Sequence, residues 1–346
     1  MTGSADLTAG LAPGVRVPTV VAVPEALLAQ LFTPAAWQRL CSVADVTVLE
    51  DHTDRDALAA VLPSARVLVT AWGTAKVDAD LLAAAPRLAL LAHTGGAISP
   101  YAGEEVFARG VQVTQAGAAM ARSVAEVALT FTLALLHRVH RFDHALRGGA
   151  HWDRASAAPP RHEINGCPVG VIGASRTGRA YLALATALGA RVSVYDPLLT
   201  EAEAARLGVR KAALDDLLES SRIVAVHAPA LPETHHLIGA RELALLPDGA
   251  GLVNTARSWL VDEQALVAAV RTGRIDAALD VYDTEPLPLD HPLRHLPNVL
   301  LTPHQAAATV ECRSALGDHT VDEIVRFATG QPLLHTVDRT ALARVE

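Results

Sequence analysis

Lysine is almost missing from this sequence. Of 29 basic residues only Lys76 and Lys211 are lysine. Neither follows a glycine, which excludes a Gly-Lys-Ser/Thr phosphate loop. Schiff-base chemistry is left with two candidates, neither in a motif-like setting. Cysteine is scarce as well: Cys41, Cys167 and Cys312 are widely spaced and odd in number. They make neither a zinc site nor a disulfide framework and suit a reducing cytoplasm, where the protein is expected to reside. No run of about 18 uninterrupted apolar residues occurs, so no membrane span is expected. Met1 to Gly14 lacks a basic segment leading into an apolar one, so no secretory leader is expected. Positive charge is in deficit. The net charge of −8 disfavours nonspecific binding to nucleic acid or anionic lipid.

What is present is the composition of a globular chain. Hydrophobic residues make up 51% and charged residues 19%, which excludes disorder. At roughly 150 residues per domain, 346 residues suggest two domains. From Pro18 onward, short β-branched runs alternate with helical segments. Thr19–Val23, Val46–Leu49, Val67–Thr70, Leu88–Ala92 and Val111–Thr114 read as strands, with helices between them, Asp54 capping one. A long helix is expected from about Ala118 to Arg141, followed by a linker from Gly148 to Gly166. Alternation then resumes with strands Pro168–Ile172, Arg191–Tyr195, Ile223–His227, Gly251–Asn254, Asp276–Val281 and Val299–Leu301. Strands alternating with helices predict parallel sheets covered on both faces, an α/β chain in two halves. The last segment begins with a helix and can return to the first half. The expected domains are therefore 1–117 with 308–346, and 118–307.

Strand Pro168–Ile172 runs into Gly173-Ala174-Ser175-Arg176-Thr177-Gly178 and then a helix ending at Gly189. This is the strand–turn–helix setting of a dinucleotide fingerprint, with Ser175 in place of the second glycine. Gly173 makes the tight turn, and Gly178 lets the helix pack closely on the sheet. Ser175 is small enough for backbone N–H groups to approach a pyrophosphate, and its hydroxyl is expected to bond a phosphate oxygen. Asp196 follows Gly173 by 23 residues, at the end of the next strand. A carboxylate there accepts from ribose hydroxyls and repels a 2′-phosphate, so NAD is expected rather than NADP.

Ligands of open parallel sheets bind beyond the carboxyl ends of the strands. Gly173, Asp196, His227, Arg257, Asp280 and His304 all fall at or just after such ends. Gly95 and Gly96 do so in the first half, where paired glycines let N–H groups converge on an anion or simply make a turn. His93 and Thr94 precede them. Trp72, in a nearby loop, is expected either to border the pocket or to lie in the core.

His227-Ala228-Pro229 with Pro232-Glu233-Thr234, then Asn254-Thr255-Ala256-Arg257, Ala278-Leu279-Asp280-Val281 with Glu285-Pro286-Leu287, and Thr302-Pro303-His304 follow in series. With Gly95-Gly96 and Val124-Ala125-Glu126, this series resembles the D-isomer-specific 2-hydroxyacid dehydrogenase family over about Gly73 to His304. The resemblance implies two Rossmann-like, doubly wound domains, the first flavodoxin-like, with the active site in the cleft between them, and commonly a homodimer. It implies a catalytic triad of Arg257, Glu285 and His304, and a substrate carboxylate held by Gly95, Gly96 and Arg257. It also implies that the cofactor meets Arg176, Thr177, His227, Ala228, Pro229, Thr234, Thr255, Ala256 and His304, and that Asp280 contacts the nicotinamide carboxamide. The chain departs from a common family pattern at Ala97-Ile98, where many members carry Val-Asp.

Reduction of a 2-keto acid leaves negative charge on the carbonyl oxygen, so a proton donor and a carboxylate clamp are needed. His304 fits the first need, with Glu285 stabilising its protonated ring, and the planar fork of Arg257 fits the second. The expected activity is NAD-dependent interconversion of a D-2-hydroxy acid and its 2-keto acid. Glu285 disfavours a formate dehydrogenase, whose histidine pairs with glutamine. A phosphite- or phosphonate-oxidising relative and an NAD(H)-sensing corepressor share the scaffold and stay open. The chain's end soon after the second half leads one to expect no regulatory domain.

Overall fold

The computed structural model describes residues 15–343. Met1–Gly14, the stretch read above for a leader, lies outside them. The chain divides into two compact units, 1–120 with 308–346, and 121–307.

In the first unit the strands are β1 (Val17–Ala22), β2 (Ala44–Val48), β3 (Val67–Thr70), β4 (Leu90–His93) and β5 (Gln112–Gln115). They form one sheet in the order β5-β4-β3-β1-β2, all parallel, with the short strand Thr336–Val337 added antiparallel beside β5. The four residues of β3 and the four of β4 are all buried, which is why these strands read as apolar runs up to Thr70 and His93. Helices start where the sequence offers caps. Asp54 accepts from the N–H groups of Asp56 and Ala57, and Asp78 from those of Asp80 and Leu81. The C-terminal helix Val310–Ala328 packs on helices Glu25–Leu31 and Pro34–Val43.

The second unit holds β6 (Pro168–Ile172), β7 (Arg191–Tyr195), β8 (Arg210–Lys211), β9 (Ile223–Val226), β10 (Gly251–Asn254), β11 (Asp276–Leu279) and β12 (Val299–Leu301). Their order is β12-β11-β10-β9-β6-β7-β8, all parallel. The chain leaves β6 toward β7 on one side and returns at β9 on the other, so the glycine loop after β6 sits at the topological switch point.

Two expectations are corrected here. The long helix is two helices, Ala121–Leu136 and Val139–Arg147, broken at Arg138, whose φ is +58°. The break is held by tertiary charge: Arg138 Nη1 donates to Asp276 Oδ2 at 2.6 Å and Nη2 to the Gly249 carbonyl at 2.8 Å. The expected linker also contains a short helix, Trp152–Ser156. In addition, Gly117–Leu136 has the length and apolar composition of a membrane span, although polar residues interrupt it. Its helical part buries Ala125, Ala128, Phe131 and Leu135 in the core of the second unit, a role that core helices of this composition fill.

Candidate active site

The turn after β6 is shaped by close backbone approach. Gly173 has φ +96°, and a Cβ there would lie 2.5 Å from both the Cα and the N of Ala228 after β9. Only glycine fits both the dihedral and the gap. The helix that follows, Arg176–Ala187, is capped by Ser175, whose Oγ accepts from the Gly178 N–H at 3.2 Å. The Ser175 oxygen thus caps the helix as an acceptor, while its hydroxyl hydrogen is left to donate, as a bond to a phosphate oxygen requires. Among the described residues, the N–H groups of Arg176 and Thr177 meet no protein acceptor. They are the donors that a helix N-terminus offers an anion.

Asp196, after β7, is half-buried and ties this loop in place. Its Oδ2 accepts from the Ala174 N–H at 2.7 Å and its Oδ1 from the Leu198 N–H at 2.8 Å. Each oxygen retains an acceptor site.

The loops after β10, β11 and β12, three neighbouring strands, carry Arg257, Glu285 and His304. Asn254 braces the first. Its Oδ1 accepts from the Ala256 N–H at 3.0 Å, and its Nδ2 donates to the Arg257 carbonyl at 2.9 Å. The Arg257 guanidinium donates to the Ala256 carbonyl at 2.8 Å and, among the described residues, forms no ion pair. Its remaining N–H groups are available to a ligand. His304 Nδ1 donates to Glu285 Oε2 at 2.7 Å, while Glu285 Oε1 accepts from the Tyr282 N–H at 3.0 Å. The carboxylate can only accept, so this bond places the second ring nitrogen, Nε2, as the one to face a substrate.

Asp280 has a different first duty from the one expected. It is 0% exposed. Its Oδ1 accepts from the Thr302 hydroxyl and from the Gln305 N–H at 2.9 Å, and its Oδ2 accepts from the Ala306 N–H at 2.9 Å. Residues 302–306 are thereby clamped, and His304 between them holds φ +54°, unusual for a residue with a Cβ. Asp280 thus ties the segment on both sides of His304 to the end of β11, and its carboxylate faces the chain. His227 is likewise corrected. Its ring is buried, tilted against Tyr181 with centroids 5.0 Å apart, and neither ring nitrogen has a hydrogen-bond partner. Burial pushes it down to about 3, so the ring is neutral packing in the core. Thr234 closes its own loop, its hydroxyl accepting from the Leu231 N–H and facing the carbonyls of Pro229 and Leu231 at 2.8–3.0 Å. Thr255 is buried, with a hydroxyl lacking a partner.

In the first unit, Gly95 is buried and Gly96 half-buried after β4. Among the described residues their N–H groups, and that of Ala97, meet no protein acceptor. Trp72 is 39% exposed, so it is not a core residue.

Residues 129–306 match the family description D-isomer specific 2-hydroxyacid dehydrogenase, NAD binding domain. The chain belongs to the D-isomer specific 2-hydroxyacid dehydrogenase family. It is 42% identical to a D-3-phosphoglycerate dehydrogenase of Mycobacterium leprae over 80% of this chain and 52% of that protein. It is 33% identical to a glyoxylate reductase of Aeropyrum pernix over 91% of this chain and 93% of that one. The chain thus spans about half the length of the curated D-3-phosphoglycerate dehydrogenases it matches. The crystal structure of the TT0316 protein from Thermus thermophilus superposes with a TM-score of 0.78 at 29% identity, covering 92% of this chain and 99% of that one.

The family's cofactor, NAD, fits the second unit. Gly173 leaves the turn open where a Cβ would fill it, two helix N–H groups are unpartnered, and Asp196 keeps acceptor sites for ribose hydroxyls. Asn254 and Tyr282 were not singled out from sequence as site residues. The signal for Asn254 is an Asn at a strand end two residues before a backbone N–H it can accept from. For Tyr282 no sequence signal exists, because the group that meets Glu285 is its backbone N–H.

Proposed function

We propose that this protein is an NAD-dependent oxidoreductase that interconverts a D-2-hydroxy acid and its 2-keto acid, working as a keto-acid reductase. The observation that carries the reading is the His304–Glu285 bond of 2.7 Å on loops beside that of an unpaired Arg257, in a unit whose glycine loop fits NAD. NAD supplies the hydride acceptor or donor when bound. Arg257 takes the substrate carboxylate in a two-point grip and draws electron density from the adjacent carbonyl. His304 Nε2 delivers a proton to the carbonyl oxygen as negative charge develops there. Glu285, pinned by the Tyr282 N–H, sets the ring's orientation and supports its positive charge before transfer. The open N–H groups of Gly95 and Gly96 in the first unit are of the kind that converges on a carboxylate, and they are proposed as anion donors.

The test is NADH oxidation by the purified protein with pyruvate, glyoxylate, hydroxypyruvate and bulkier 2-keto acids. Turnover with at least one acid, largely lost in Arg257→Ala, is expected. No turnover with any acid while NADH binds contradicts the reading and favours a cofactor-sensing role.

We also propose a cytoplasmic homodimer. Three free cysteines support the compartment. The exposed apolar side chains of Val139, Leu146 and Trp152, 48–71% accessible in one stretch, support pairing of two copies. Light scattering that reports a monomer contradicts the dimer.

A further inference from the structure

The loops after β3 and β4 hold a cluster that the chemistry above does not use. His93, at the end of β4, is 1% exposed. Its ring stacks on Tyr101 with centroids 4.3 Å apart and meets Trp72 edge-on at 6.5 Å. Its Nδ1 contacts the Thr70 hydroxyl at 3.0 Å, and its Nε2 has no partner. That nitrogen points at Gly95: a Cβ on Gly95 would lie 2.6 Å from His93 Nε2 and 3.4 Å from Trp72 Cζ2. The indole therefore leans on the same glycine whose N–H is open to an anion. On the other side, the Cβ position of Gly96 lies 3.6 Å from Met120 Sδ and 3.8 Å from Gln115 Oε1.

The lining around the two glycines is thus indole, thioether and amide. Among the described residues, no lysine or arginine side chain bonds to residues 71–74 or 93–97. Burial holds His93 at about 3, so it contributes no positive charge at neutral pH. A phosphate or second carboxylate on the substrate needs a cationic partner, or N–H groups beyond those of Gly95, Gly96 and Ala97 that a first carboxylate occupies. An apolar substituent needs a partly exposed apolar wall, which Trp72 offers.

We propose that Trp72, braced by His93, forms the wall of a side-chain subsite beside Gly95 and Gly96, and that the preferred substrates are 2-keto acids with a bulky, uncharged, apolar substituent. This rests on the keto-acid reductase reading above. Trp72 is the specificity-determining residue, and His93 positions it.

The test compares kcat/KM of the purified 346-residue protein with NADH for phenylpyruvate, 4-methyl-2-oxopentanoate, pyruvate and 3-phosphohydroxypyruvate. The apolar acids are expected to exceed pyruvate by about tenfold or more and the phosphorylated acid by more, as differential burial of a substituent allows. Trp72→Ala is expected to lower the phenylpyruvate-to-pyruvate ratio by about tenfold, mainly through KM, and Trp72→Phe to restore most of it. A preference for pyruvate or the phosphorylated acid, or a ratio that Trp72→Ala does not move, overturns the subsite and leaves the reductase reading standing. No reduction of any acid overturns both. Should Trp72→Ala not fold, the wild-type ranking and the Trp72→Phe ratio still decide.

Discussion

Replacing Gly173 by alanine places a methyl carbon 2.5 Å from the Cα and the N of Ala228. Non-bonded carbons rest about 3.5–4.0 Å apart, so the loops after β6 and β9 must separate by about 1 Å. The residue would also sit at φ +96°, where the left-handed side of the map costs an alanine about 1–2 kcal/mol. Overpacking adds about 1–3 kcal/mol, for a total of roughly 2–5 kcal/mol. For a unit of this size that lowers the melting temperature by roughly 5–15 °C. The displaced loop also carries the open N–H groups of Arg176 and Thr177 off the pyrophosphate. Losing one hydrogen bond to a charged group, about 1.5–3 kcal/mol, raises the Kd for NADH by roughly 10- to 100-fold. Differential scanning calorimetry reads the first effect and a fluorescence titration with NADH the second. A Gly173→Ala protein that melts and binds NADH like the wild type refutes the close-approach argument.

Other outcomes follow from the same geometry. Asp196→Ala should relax the preference for NADH over NADPH, read as the ratio of kcat/KM values; an unchanged ratio counts against the ribose contact. Asp280→Asn should lower kcat by about 10- to 100-fold, because it disturbs the clamp on residues 302–306 and with it the placement of His304; full kcat contradicts the positioning role. Acid should weaken both units. Burial lowers His93 and His227 from 6.5 to about 3, so below pH 6.5 the unfolded chain takes up protons that the folded chain does not. The stability these groups confer is complete above pH 6.5 and is lost as pH falls toward 3, about 2 kcal/mol from each at pH 5. Urea denaturation midpoints equal at pH 7.5 and pH 5.0 would contradict it.

The strands were the most legible part of the chain, because central parallel strands are buried on both faces and are mostly apolar, as β9 is throughout and β3 is up to Thr70. The helix start at Asp54 was legible through its cap, and Asp78 caps the next one in the same way. The break at Arg138 was not, since neither proline nor glycine marks it and the group that holds it, Asp276, is 138 residues away. β8 and Thr336–Val337 have two residues each, too few to show a period. At the candidate site, residue types at strand ends pointed to loops that follow neighbouring strands, those after β10, β11 and β12. What the sequence could not show is which polar atoms the fold itself engages. Ser175 Oγ, the Asp280 carboxylate and the Thr234 hydroxyl all bond to the chain, and His227 packs inward. Such competition between ligand and backbone is settled only by tertiary placement.

The most direct test follows an atom. The protein is incubated with a turned-over 2-keto acid and NADH carrying deuterium at both C4 positions, and the product is read by mass spectrometry and chiral chromatography. Hydride transfer onto the keto carbon predicts one deuterium at C2 of the D-2-hydroxy acid. A product without deuterium at C2, or of the L configuration, would contradict the reading.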